Sequence, residues 1–123
     1  MSTLIAAFAI LGIAVLLGAA LFVRHLRNAP CGATAWRLAA LHGLIGVGGL
    51  VCLLFALRHP PLRAAQGAAG FGAISVVMLA LAALFGGGIF VIRLAKRRAG
   101  MLIGIHATIA ISGFVILAAY VLV

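Results

Sequence analysis

The chain reads as an all-α membrane protein, an up-down-up-down bundle of four transmembrane helices, and three observations lead there. Its 123 residues are 67% hydrophobic with a mean hydropathy of +1.43, a composition that cannot keep a soluble domain's surface wetted. Four apolar runs each reach the length of about 20 residues that a helix needs to cross a hydrocarbon core of about 30 Å. The gaps between them are short and hold turn formers and basic residues, which makes successive helices antiparallel neighbours.

The spans fall at about 3–23, 37–57, 70–92 and 101–123, and residues 1–123 form a single transmembrane domain. Asn28-Ala29-Pro30-Cys31-Gly32 and His59-Pro60-Pro61 carry the breakers of two turns, and Arg93, Lys96, Arg97 and Arg98 fill the third connection. No basic residue precedes the first span, whereas Arg24, His25 and Arg27 follow it, so it reads as an anchor rather than a cleaved secretory signal. The first and third connections are richer in Lys and Arg than the second. By the positive-inside rule they are cytoplasmic and both termini lie outside, in an integral plasma (inner) membrane protein.

The charge balance excludes whole classes of chemistry. There are nine Lys and Arg, no Asp and no Glu, for a formal net charge of +9. A carboxylate acid or base, a carboxylate-held metal and a carboxylate proton relay are therefore beyond this chain's own side chains. Because the basic residues stand in short gaps between apolar runs, they read as topology signals, and nucleic acid is not expected as a partner. Cys31 and Cys52 lack metal-type spacing and differ in depth, so both read as packing residues with no disulfide between them.

An internal repeat runs through the spans. Gly18-Ala19-Ala20-Leu21-Phe22-Val23 matches Gly86-Gly87-Gly88-Ile89-Phe90-Val91. The stretch from His42 to Val51 matches His106 to Val115, with His, small residues, Ile and Val in register. The chain thus looks like a duplicated helical hairpin, with units of about 1–57 and 70–123 related by an axis along the membrane normal.

His42 and His106 follow the starts of spans that run in the same direction, which puts the imidazoles at nearly one depth. Spans 2 and 4 are diagonal in a four-helix ring, so the two side chains can face each other, as the axial ligands of a haem iron must. Along each His stripe the residues are His42, Gly46, Gly49, Leu53 and His106, Ala110, Gly113, Leu117. The small residues Gly46, Gly49, Ala110 and Gly113, continued by Gly43 and Ala107, are the expected room for a porphyrin plate. The haem propionates would be the missing anions, and Arg24, Arg37 and Arg97 are the candidates to hold them by charge-assisted hydrogen bonds. Two other readings of the pair stand beside haem: a structural interhelical hydrogen bond, and another metal or a chlorin. His25 and His59 fall at span ends without a partner at their depth and read as interfacial residues. Thr108, Ser112 and Ser75 are deep enough to matter, with a back-bond to the helix carbonyl as the expected use. One haem b per chain is expected, because Ala56 and Tyr120 stand where a second pair of ligands would be needed.

With four spans, His42 and His106 on parallel helices and small residues after each, the chain resembles the four-helix b-type cytochrome membrane proteins, cytochrome b561-like haem proteins among them. The resemblance implies electron transfer to or from quinol, ascorbate, ferric iron or superoxide. Members often stack two haems, and the single His pair here departs from that pattern. The leading expectation is thus an electron-transfer protein or oxidoreductase component with one bis-histidine haem b, not a stand-alone hydrolase or transferase. Filling both axial positions disfavours oxygen activation. Its expected partners are the lipid bilayer, a quinone or redox protein, and a second copy in a homodimer. The alternative is a small non-enzymatic assembly or structural subunit of a larger respiratory or photosynthetic complex, for which Gly86-Gly87-Gly88 and the Gly100 to Gly104 segment would suit close helix packing. A small transporter is a weaker third reading, as broken helices and acidic residues are missing.

Overall fold

In the computed structural model the described residues are 2–28, 32–58, 69–95 and 97–122. They form four α-helices: α1 (Ser2–Leu26), α2 (Ala33–Arg58), α3 (Ala69–Leu94) and α4 (Gly100–Leu122). All four are long and apolar enough to cross a membrane. Cys31, His59, Arg63 and Lys96, singled out in the sequence, lie outside the described residues.

Local chemistry sets the ends. α1 closes with Arg27 N–H donating to Val23 O and Asn28 N–H to His25 O. Asn28 has φ 50°, the left-handed conformation that Asn tolerates better than most residues at a helix C-terminus. α2 begins at Ala33, ahead of the apolar run, where the Gly32 carbonyl accepts from the N–H groups of Ala35 and Trp36 and opens the first turn. At the end of α3 the Arg97 N–H reaches back to Ile92 O, the long closing bond of a Schellman-type stop, and Ala99 O then accepts from Ile103 as α4 starts.

The helices pack as a ring in chain order. α1 packs most extensively on α2 and α3 on α4, with lesser α1·α4 and α2·α3 seams joining the hairpins. α2 and α4 are thereby diagonal, as the short connections predict. The tightly packed core fills the half of the bundle away from the basic connections, around Leu4, Ala7, Leu11, Leu53, Leu79, Leu117 and Tyr120. Leu53 and Leu117 are fully buried there. The seams differ: Phe8 stacks on Phe114 between α1 and α4, with centroids 5.0 Å apart, whereas Trp36 meets Phe90 edge-on between α2 and α3 at 5.4 Å, at the opposite end. Large apolar residues such as Leu16, Leu44, Leu84 and Val115 point outward, as they must where the surroundings are lipid.

Candidate functional site

The two histidines of the spans meet inside the ring. His42 on α2 and His106 on α4 have ring centroids 5.9 Å apart and planes crossed at 87°. Both rings are half-buried, in the part of the bundle nearer the basic connections.

Each ring is tied to the other helix of its own hairpin. His42 Nδ1 donates to the carbonyl of Ala14 at 2.8 Å, and His106 Nδ1 donates to the carbonyl of Ala82 at 2.8 Å. A carbonyl has no proton to give, so the hydrogen sits on Nδ1, and in the neutral ring Nε2 keeps its lone pair. This is the arrangement in which metal-binding histidines are commonly held: one nitrogen donating to a fixed acceptor, the other free to ligate.

Small residues surround the rings, but they are not the ones on the histidine helices. A Cβ built on Gly18 would lie 2.9 Å from His42 Cε1 and 3.3 Å from Nδ1, and one built on Gly86 would lie 3.2 Å from His106 Cε1 and 3.5 Å from Nδ1. Ala14 and Ala82, one turn earlier, are buried. So the clearance at the site is made by Ala14 and Gly18 on α1 and by Ala82 and Gly86 on α3, which sequence reasoning did not place there. A signal existed: the repeat itself aligns Gly18 with Gly86.

The small residues expected to open a porphyrin slot have a different surrounding. A Cβ on Gly49 would meet Leu11 Cγ at 2.8 Å, and one on Gly113 would meet Met78 Cβ at 3.0 Å and Leu79 Cγ at 3.2 Å. For Gly46 the nearest atom is Ala14 Cβ, at 3.9 Å. Gly49 and Gly113 therefore let α1 and α3 press close within each hairpin, and their missing side chains are filled by neighbours. Ala110 and Ala107 are half-buried, and Gly43 faces outward with nothing within 4 Å of a built Cβ.

Arg24 is half-buried in the last turn of α1, while Arg37 and Arg97 are exposed near the starts of α2 and α4, all at the end of the bundle to which the histidines lie closer. His25 stands beside α4, its Nε2 3.9 Å from a Cβ built on Gly100. Ser75 Oγ donates to Gly72 O at 2.9 Å and Thr108 Oγ1 to Gly104 O at 3.0 Å, the local back-bonds that the sequence predicts. Cys52 points its sulfur at the Thr3 carbonyl, 3.8 Å away, in the packed half.

Among the described residues no group of three or more His, Cys, Asp or Glu is placed to hold a metal ion, and His42 and His106 are a pair. Two imidazoles bound to one metal at about 2.0 Å each, with roughly 1 Å from nitrogen to ring centre, have centroids about 6 Å apart. The observed centroid separation of 5.9 Å is of that size, and the Nδ1 hydrogen bonds leave Nε2 as the ring nitrogen with a lone pair to offer. Compared with models of protein families, with curated proteins and with solved structures, the chain matches none.

Proposed function

We propose that the chain is a membrane b-type cytochrome that binds one haem b between His42 and His106 and carries electrons. The observation that supports this most directly is the pair of imidazoles 5.9 Å apart on diagonal helices, each with Nδ1 engaged by a backbone carbonyl. His42 and His106 would hold the haem iron between them, and the group would supply a one-electron iron couple suited to electron transfer rather than oxygen activation. The protein's part is to hold both rings in one tautomer, to keep the site inside apolar helices, and to offer Arg24, Arg37 and Arg97 on the propionate side. In the far half the bundle interior is occupied by Leu53, Leu117 and Tyr120, which supports one haem and not two. The basic connections lie in the cytoplasm in this reading, and a quinone or a redox protein is the electron partner.

A reduced-minus-oxidised visible spectrum of detergent-purified protein from haem-replete cells tests it. A sharp low-spin b-type signal at one haem per chain is expected, lost or turned high-spin in His42→Ala and in His106→Ala. Wild-type protein that stays colourless after haem is added would refute the proposal.

A second reading, an assembly subunit of a larger membrane complex, draws on Gly48, Gly87, Gly88 and Gly104, where a built Cβ meets nothing within 4 Å and another helix could approach closely. Copurification of a large partner with protein whose haem, if any, is inert toward quinol would favour it.

A further inference from the structure

We infer that Gly18 and Gly86 are the positioning residues of the histidine pair: by lacking a side chain, each uncovers the backbone carbonyl one turn before it, and that carbonyl fixes the imidazole's tautomer.

Each Cα–Cβ bond in an α-helix tilts toward the N-terminus, so a side chain covers the surface over the preceding turn, where the carbonyl four residues earlier lies. The carbonyl of Ala14 already accepts the N–H of Gly18 within α1, yet an oxygen has a second lone pair. In hydrocarbon that lone pair is normally screened by the side chain at the following turn. At Gly18 there is none, and His42 Nδ1 reaches the Ala14 oxygen at 2.8 Å, with Cε1 in the space a Cβ would claim at 2.9 Å. The second hairpin repeats every part: Gly86 bare, Ala82 accepting at 2.8 Å, and His106 Cε1 at 3.2 Å from the built Cβ.

Composition narrows the choice of acceptor. The usual acceptor behind a ligand histidine is a carboxylate or a carbonyl, and the chain contains no Asp or Glu. Of the described groups near the rings, only peptide oxygens take the Nδ1 proton. Without them the ring is free to turn or to carry its proton on Nε2, the nitrogen a metal needs bare. The consequence for haem affinity rests on the cytochrome reading; the tautomer does not.

Two measurements on the full-length protein separate these. In cofactor-free protein carrying ¹⁵N-histidine, nitrogen shifts report which ring nitrogen is protonated. Wild type should show Nδ1 protonated and Nε2 bare at both positions. Gly18→Ala should disturb the His42 pattern and leave that of His106, Gly86→Ala should do the reverse more weakly because its built Cβ has more clearance, and Gly88→Ala should change neither. On haem titration the two site variants should bind about 10- to 100-fold more weakly than wild type. Wild-type protein that takes up no haem would defeat the cytochrome reading while the nitrogen shifts still decide this one. Shifts identical to wild type in Gly18→Ala and Gly86→Ala would overturn it.

A double-mutant cycle on thermal stability supplies a route that survives a poorly behaved variant. If Gly18 acts through the ring, Gly18→Ala should destabilise the wild-type background and be neutral or mildly stabilising in His42→Ala, since Ala is the better helix former. Equal effects in both backgrounds would refute it.

Discussion

In the first hairpin His42 reaches Ala14 across Gly18, and in the second His106 reaches Ala82 across Gly86, with two hydrogen bonds of the same length. Gly49 takes Leu11 against it as Gly113 takes Leu79, and Leu53 and Leu117 fill matching places in the core. Away from these positions the copies part. Phe8 and Phe114 stack on the α1·α4 seam, but the repeat places Val76 and Leu50 at the matching places on α2·α3; Trp36 meets Phe90 on α2·α3, where the other seam has Gly100 and Phe22. The hairpins thus agree on what holds each ring and on how each pair of helices closes. They differ in the aromatic residues that fasten one hairpin to the other.

The largest effect expected from breaking the likeness is at the ligands. If the rings are equivalent, His42→Ala and His106→Ala should abolish low-spin haem to the same degree, measured by spectrum and pyridine haemochrome; a variant keeping the low-spin signal would show that the two copies have diverged in role. Next come the tight glycines. Gly49→Val and Gly113→Val should each destabilise the bundle by about 1–3 kcal/mol through overpacking. Gly113→Val should be the worse of the two, because its neighbours include Met78 Cβ and the Leu79 backbone nitrogen, which move only with α3, whereas Gly49 faces the side chains of Leu11 and Ile10. Unfolding in detergent under increasing SDS would rank them, and the reverse order would mean that Leu11 cannot yield.

A comparable loss of about 2 kcal/mol is expected for Leu53→Ala and Leu117→Ala, in the lower part of the range for buried leucines, because in lipid only the packing and cavity part of the cost applies. The same unfolding assay checks it. The smallest effect sharpens the difference rather than the likeness. Phe8→Val makes the α1·α4 seam resemble its counterpart and should cost about 0.5–1.5 kcal/mol from the lost ring stacking, with the histidine nitrogen shifts unchanged.

Much of this was legible in the chain. Four apolar runs with short gaps dictate four antiparallel helices, and two histidines in register on spans of one direction are set at one depth, because depth and direction follow from length alone. What single-chain pattern could not supply was rotation. Gly49 and Gly113 share a stripe with the histidines, and only the neighbouring helices decide that Leu11 and Leu79 lie against them. The room at the rings belongs to Gly18 and Gly86, on the helices that do not carry the facing pair, and linking a glycine to a carbonyl one turn away and to a ring on another helix requires the packed bundle. α2 starts at Ala33, ahead of the apolar span at about 37–57, for a related reason: hydropathy marks the apolar run, while Gly32 and its hydrogen bonds mark where the helix begins.

The acceptor behind each ring is a peptide group, and this changes how the site could be lost. A carboxylate that orients a histidine disappears with one substitution, whereas the oxygens of Ala14 and Ala82 are present whatever residue occupies those positions. They also have no protonation state of their own to vary with the pH on either side of the membrane. The fragility is displaced to two positions that bear no functional group at all, where gaining a methyl, not losing one, would do the damage.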